Sequence, residues 1–87
     1  MTRKFYLFYD KEYVVENYSN EYIKVYFFDY DRMKKSKVVK IDLIGFDKKY
    51  TIKEFRRLIR YKVDGVMCNF VIDDLLSSNK MFFKKER

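Results

Sequence analysis

Glu21-Tyr22-Ile23-Lys24-Val25-Tyr26-Phe27-Phe28-Asp29-Tyr30 is the stretch whose reading decides the fold. Its β-branched and aromatic residues favour an extended chain, and the two-residue period of a strand sorts them into two faces. Tyr22, Tyr26 and Tyr30, interleaved with Lys24 and Phe28, share one face, whereas Ile23, Val25 and Phe27 share the other. Tyr18 extends the same four-residue spacing upstream. The Ile/Val/Phe face reads as core. The tyrosine face has two readings: left open, it is a platform of rings and cations of the kind that stacks nucleic-acid bases. Covered by a helix, it is ordinary core, and with two helices to place, burial is the expectation.

Working outward, the polar cluster Asp31–Ser36 separates this strand from Lys37–Phe46, where Val39, Ile41 and Leu43 fall on one face, so the pair reads as a hairpin. Upstream, Lys4–Tyr9 is aromatic and bounded by charge, consistent with a strand covered on both faces. Asp10–Glu12 looks like a turn, and Tyr13–Tyr18 is compatible with a short strand or an irregular excursion. Thr51 with Glu54 three residues later is a capping box, which predicts a helix from there to about residue 63, closed by Asp64-Gly65. On that helix Ile52, Phe55, Leu58 and Ile59 form an apolar arc, and Lys53, Arg56, Arg57 and Arg60 form the arc beside it. Val71, Ile72, Leu75 and Leu76 predict a second helix over roughly 70–78. The expectation is one α+β domain over 1–87, an antiparallel sheet of three or four strands with one or two helices packed on one face.

The chain has no histidine and one cysteine, which removes histidine acid–base chemistry, His/Cys zinc sites and internal disulfides. Cys68 lies in an apolar run and reads as a buried thiol rather than a nucleophile. Asp47-Lys48-Lys49 resembles the D-x-K element of metal-dependent nucleases, but a three-residue match arises by chance in a Lys- and Asp-rich chain. Adjacent Asp73 and Asp74 are better placed to complement a helix dipole. Two glycines cannot build a phosphate loop. The expectation is a non-enzymatic protein with no cofactor, metal or catalytic residue.

The net charge of +7 is concentrated: residues 32–62 hold twelve basic and three acidic residues, whereas 1–31 hold four and six. Arg32, Lys34 and Lys35 in the hairpin loop and Lys53, Arg56, Arg57 and Arg60 on the helix are the candidate contacts to an anionic partner, with Tyr22, Tyr26 and Tyr30 as a second candidate surface. The bland alternative is a solvated face that confers solubility. Nucleic acid is the expected partner. An acidic protein surface is the other, as for a phage- or mobile-element-type inhibitor or adaptor, a class that the Lys-, Tyr-, Phe- and Asn-rich usage of AT-rich coding sequence also suggests. Phe5–Tyr9 is too short for a signal-peptide core or a membrane span, so the cytosol is the expected location.

Overall fold

The computed structural model describes residues 1–86. Five strands and two helices follow in the order β1 (Thr2–Phe8), β2 (Lys11–Tyr18), β3 (Tyr22–Asp29), β4 (Lys34–Lys35), β5 (Val39–Asp42), α1 (Ile52–Ile59) and α2 (Gly65–Ser78). The antiparallel sheet runs β1-β2-β3, and β4 and β5 both pair with the far side of β3. The α+β class is as the sequence implies.

Within Glu21–Tyr30, residues Tyr22–Asp29 form the third strand, central in the sheet, with Ile23 and Val25 fully buried. Residues Tyr13–Tyr18, compatible in sequence with a short strand or an irregular excursion, belong to a complete eight-residue strand that starts at Lys11, so the expected turn at Asp10–Glu12 lies instead at Tyr9-Asp10. Their buried polar members Glu16 and Asn17 disguise it, and both are satisfied by partners on distant segments. The turn into β3 places Ser19 and Asn20 in left-handed conformations and closes with the Glu21 N–H donating to the Tyr18 carbonyl at 2.9 Å.

The second arm of the hairpin is shorter and broken. It begins at Lys34 rather than Lys37, because Ser36 interrupts it by accepting the Phe27 N–H on its own Oγ, at 2.8 Å, in place of a ladder carbonyl. It resumes at Val39 and ends at Asp42, with Ile41 and Leu43 buried as the alternation requires. β1 is covered on one face alone, where Tyr6 stacks on Phe70 of α2 at 4.4 Å, so the expected two-sided cover fails: on the other face Phe5 is 60% and Leu7 73% exposed.

The Thr51 capping box forms, with Thr51 Oγ1 accepting from Glu54 N and Glu54 Oε1 from Thr51 N at 3.1 and 2.9 Å. Phe55 and Ile59 enter the core, while Leu58 turns out to solvent at 42% exposure. Helix α1 ends at Ile59, earlier than the sequence suggests, and Asp64-Gly65 is a start rather than a stop. The Asp64 carboxylate accepts the Met67 N–H at 2.9 Å, capping an α2 that begins five residues before the expected position. Helix α2 packs on β2 and β3 and α1 packs against α2, so that Phe55, Ile59, Met67, Cys68, Val71 and Leu75 share one core with Tyr13, Val15, Ile23 and Ile41. Phe82 returns after α2 to seal the far end of this core.

Candidate functional site: the uncovered face of the sheet

Directly paired residues in antiparallel strands share a face, so the register specifies what lies opposite the helices. Four rows cross it: Leu7–Glu12–Phe28–Lys35, Phe5–Val14–Tyr26, Arg3–Glu16–Lys24–Lys40 and Tyr18–Tyr22–Asp42. The expected burial of the tyrosines under a helix is therefore overturned. Helix α2 packs on β2 and β3, and the buried residues of both helices share one core with Ile23 and Val25, the more apolar face of β3.

The rings are nevertheless ordered. Tyr18 and Tyr22 stack at 4.5 Å between centroids with planes 11° apart. Lysine ammonium groups stand over them: Lys35 Nζ lies 4.5 Å from the Tyr26 centroid, Lys40 Nζ 4.5 Å from that of Tyr22 and Lys24 Nζ 5.5 Å from that of Tyr18. Tyr30, just beyond β3, joins the same face by donating its hydroxyl to Glu12 at 3.0 Å and meeting Phe28 edge-on at 4.9 Å.

Glu16 organises the centre of this surface. Its carboxylate accepts from Arg3 Nε at 3.0 Å, from the Tyr18 hydroxyl at 3.1 Å and from the Tyr26 hydroxyl at 3.3 Å. Burial alone would raise its carboxyl, but the bonds from Tyr18 and Arg3, the Arg3 charge and the bond from Tyr26 hold it below the ordinary range. The Tyr26 hydroxyl is pushed up, first by desolvation and then by the Glu16 charge and hydrogen bond. Both tyrosines therefore remain neutral donors at physiological pH.

The cations singled out in the sequence separate into three places. Lys35 belongs to the tyrosine face. Arg32 and Lys34, together with Lys11 and Lys35, line a cleft of about 470 Å³ at the hairpin tip, where Asp10, Asp29 and Asp31 accompany them. Asp29, only 8% exposed, shapes that loop by accepting from the backbone N–H groups of Asp31 and Arg32, and it pairs with Lys11 at 3.9 Å. Carboxylates thus offset most of the loop's charge.

On α1, Lys53, Arg57 and Arg60 are exposed, but Arg56 is half-buried and donates to Asn69 of α2. Lys84 and Lys85, which the sequence reading did not single out, join Lys53 in a separate cleft with Glu54 and Glu86. Their placement depends on the tail docking through Phe82 and through the Lys84 N–H to the Tyr50 carbonyl at 2.8 Å. Arg3, Glu12, Glu16 and Lys40 on the open face were also missed, although the alternation along each strand carries their common parity.

Cys68 is fully buried; desolvation raises its thiol despite the opposing charges of Arg56 and Arg60. Among the described residues no three carboxylate or thiol side chains converge as metal ligands, and no helix is long and apolar enough to cross a membrane. No family model, curated protein or solved structure matches the chain.

Proposed function

We propose that this protein is a non-enzymatic binding module that takes single-stranded nucleic acid on the uncovered sheet face, with bases stacking on Tyr22, Tyr26 and Tyr18 and phosphates meeting Lys24, Lys35 and Lys40. The observation that carries this reading is the alternation of lysines and tyrosines over one helix-free face. A cation–π contact at an exposed site is worth about 0.5–1 kcal/mol, whereas base–aromatic stacking is worth about 1–3 kcal/mol per base. A base therefore displaces the ammonium from the ring, and the freed lysine turns to the adjoining phosphate. The exposed Lys53, Arg57 and Arg60 of α1 contribute a long-range positive field rather than the contact surface.

Fluorescence titration of labelled single- and double-stranded DNA and RNA at two salt concentrations tests this directly. Salt-sensitive binding of single strands, weakened by Tyr26→Ala and Lys35→Ala, supports it. If only Lys53→Ala and Arg57→Ala weaken binding, the interface belongs on α1; if no strand binds, the reading fails.

One observation favours a second reading. The face holds four cations (Arg3, Lys24, Lys35, Lys40) beside three carboxylates (Glu12, Glu16, Asp42), a near balance that also suits a protein partner. Recovery of a stoichiometric protein from nuclease-treated lysate, lost with Tyr26→Ala, supports this alternative.

A further inference from the structure

We infer that two copies of this chain associate through β1, pairing antiparallel about Phe5 to join their sheets edge to edge. Strand β1 pairs only with β2, and among the described residues no other backbone hydrogen bond reaches Thr2–Phe8, so one row of its N–H and C=O groups is unpaired. An uncovered edge of this length is a template for another strand. Natural edges are protected by proline, a bulge or charge along their length; this one is regular in register, has no proline and carries its charge only at Arg3 and Lys4.

The exposed side chains say which strand fits. Phe5, Leu7, Phe8 and Tyr9 are all exposed, Tyr9 at 84%, and they occupy the middle and one end of the segment. A two-fold axis at Phe5 uses all seven residues. It sets Phe5 against Phe5 of the second copy, Arg3 against Leu7, Lys4 against Tyr6 and Thr2 against Phe8. The basic end of each strand then lies along the apolar end of the other, and Lys4 keeps its bridge to Asp74, 3.9 Å away.

The two Arg3 residues come to lie about 13 Å apart along the strand axis, beyond the screening length at physiological salt, and the two Lys4 residues, about 7 Å apart, each have the Asp74 carboxylate of their own copy beside them, which offsets their repulsion. The exposed rings and Leu7, together with the strand backbone, amount to about 1,000 Å² buried in total, the lower end of specific interfaces. The pairing is thus reversible, and the dimer population rises with concentration into the submillimolar range. It also aligns two tyrosine faces on one side of a continuous sheet, but it rests on the edge alone and stands whether or not nucleic acid binds.

Sedimentation velocity over a micromolar to submillimolar range should show a monomer–dimer equilibrium, shifted to monomer by Leu7→Lys with an unchanged far-UV spectrum. A second pair of variants covers a folding defect. Phe5→Cys should be crosslinked to a dimer by a short bismaleimide, whereas Leu7→Cys, whose two copies would lie about 13 Å apart, should crosslink at least tenfold less; buried Cys68 contributes nothing to either. A wild-type monomer throughout the range overturns the inference, as does assembly beyond a dimer, since the two-fold pairing leaves no β1 edge free. Equal crosslinking at both positions overturns the register.

Discussion

Lys35 Nζ rests 4.5 Å from the centroid of the Tyr26 ring on the sheet face that neither helix covers. In the proposed reading this pair supplies a ring face and a cation to a single strand. Neither residue is part of the core formed on the opposite face. Function and stability should therefore separate at Tyr26.

Tyr26→Ala should lower stability by about 1 kcal/mol, because the ring is only half-buried and the several kcal/mol typical of core truncation require full burial. Single-strand affinity should weaken by about 1–3 kcal/mol. Tyr26→Phe keeps the ring and should retain most of the binding. Thermal melts and titrations of the two variants side by side check this; an Ala variant that melts as far down as a core variant would make the ring structural.

The Glu16 carboxylate should leave a signature at acid pH. Its folded pKa is below its unfolded value, so its stabilisation is present above about pH 4.3, the ordinary glutamate value, and is lost as pH falls through the lower folded value. Glu16→Gln removes the charge facing Arg3 and should cost about 1–2 kcal/mol near neutrality, with a smaller difference from wild type as the pH is lowered. Denaturant melts from pH 7 to pH 3 read both effects; curves that stay parallel would contradict the assignment.

Within α1, neighbouring arginines should behave differently. Arg56 bonds Asn69 across the helix pair, and Gly65 leaves room beside the Arg60 guanidinium, whereas Arg57 faces solvent. Arg56→Ala should cost about 1 kcal/mol of stability, and Arg57→Ala close to none. The simultaneous replacement of Arg56, Arg57 and Arg60 is consequently a poor binding probe, since it also loosens the helix pair. Individual melting temperatures of the two single variants check the difference.

Phe82, in the segment that follows α2, is 1% exposed and meets Phe55 edge-on at 6.2 Å. Phe82→Ala should cost about 3–5 kcal/mol, as for other buried aromatic rings. A change below about 1 kcal/mol in chemical denaturation would show that the tail does not close the core.

Local signals were legible where the chemistry is local. The Thr51–Glu54 box predicted the start of α1 because both hydrogen bonds lie within one turn. The parity of Tyr22, Tyr26 and Ile23, Val25 predicted two faces because side-chain direction is fixed by the strand itself. What covers each face is decided by distant segments. Glu16 and Asn17 left Tyr13–Tyr18 compatible with either a strand or an irregular excursion, because the partners that satisfy them, Arg3 and Asp74, come from β1 and α2. Asp64-Gly65 suits the end of one helix and the beginning of the next equally, and only the short α1 resolved it. The cations followed the same rule: sequence proximity grouped Arg32, Lys34 and Lys35, and all three line the acidic hairpin tip, but strand parity sends the Lys35 ammonium to the Tyr26 ring.

The most direct test of the sheet-face account is a two-dimensional nitrogen–proton and aromatic carbon–proton NMR titration of the labelled protein with an oligothymidylate. The account predicts shifts concentrated at Tyr18, Tyr22, Lys24, Tyr26, Lys35 and Lys40, with the Tyr26 ring among the largest. Shifts confined to Lys53, Arg57, Arg60, Lys84 and Lys85, or none at saturating oligonucleotide, would contradict it.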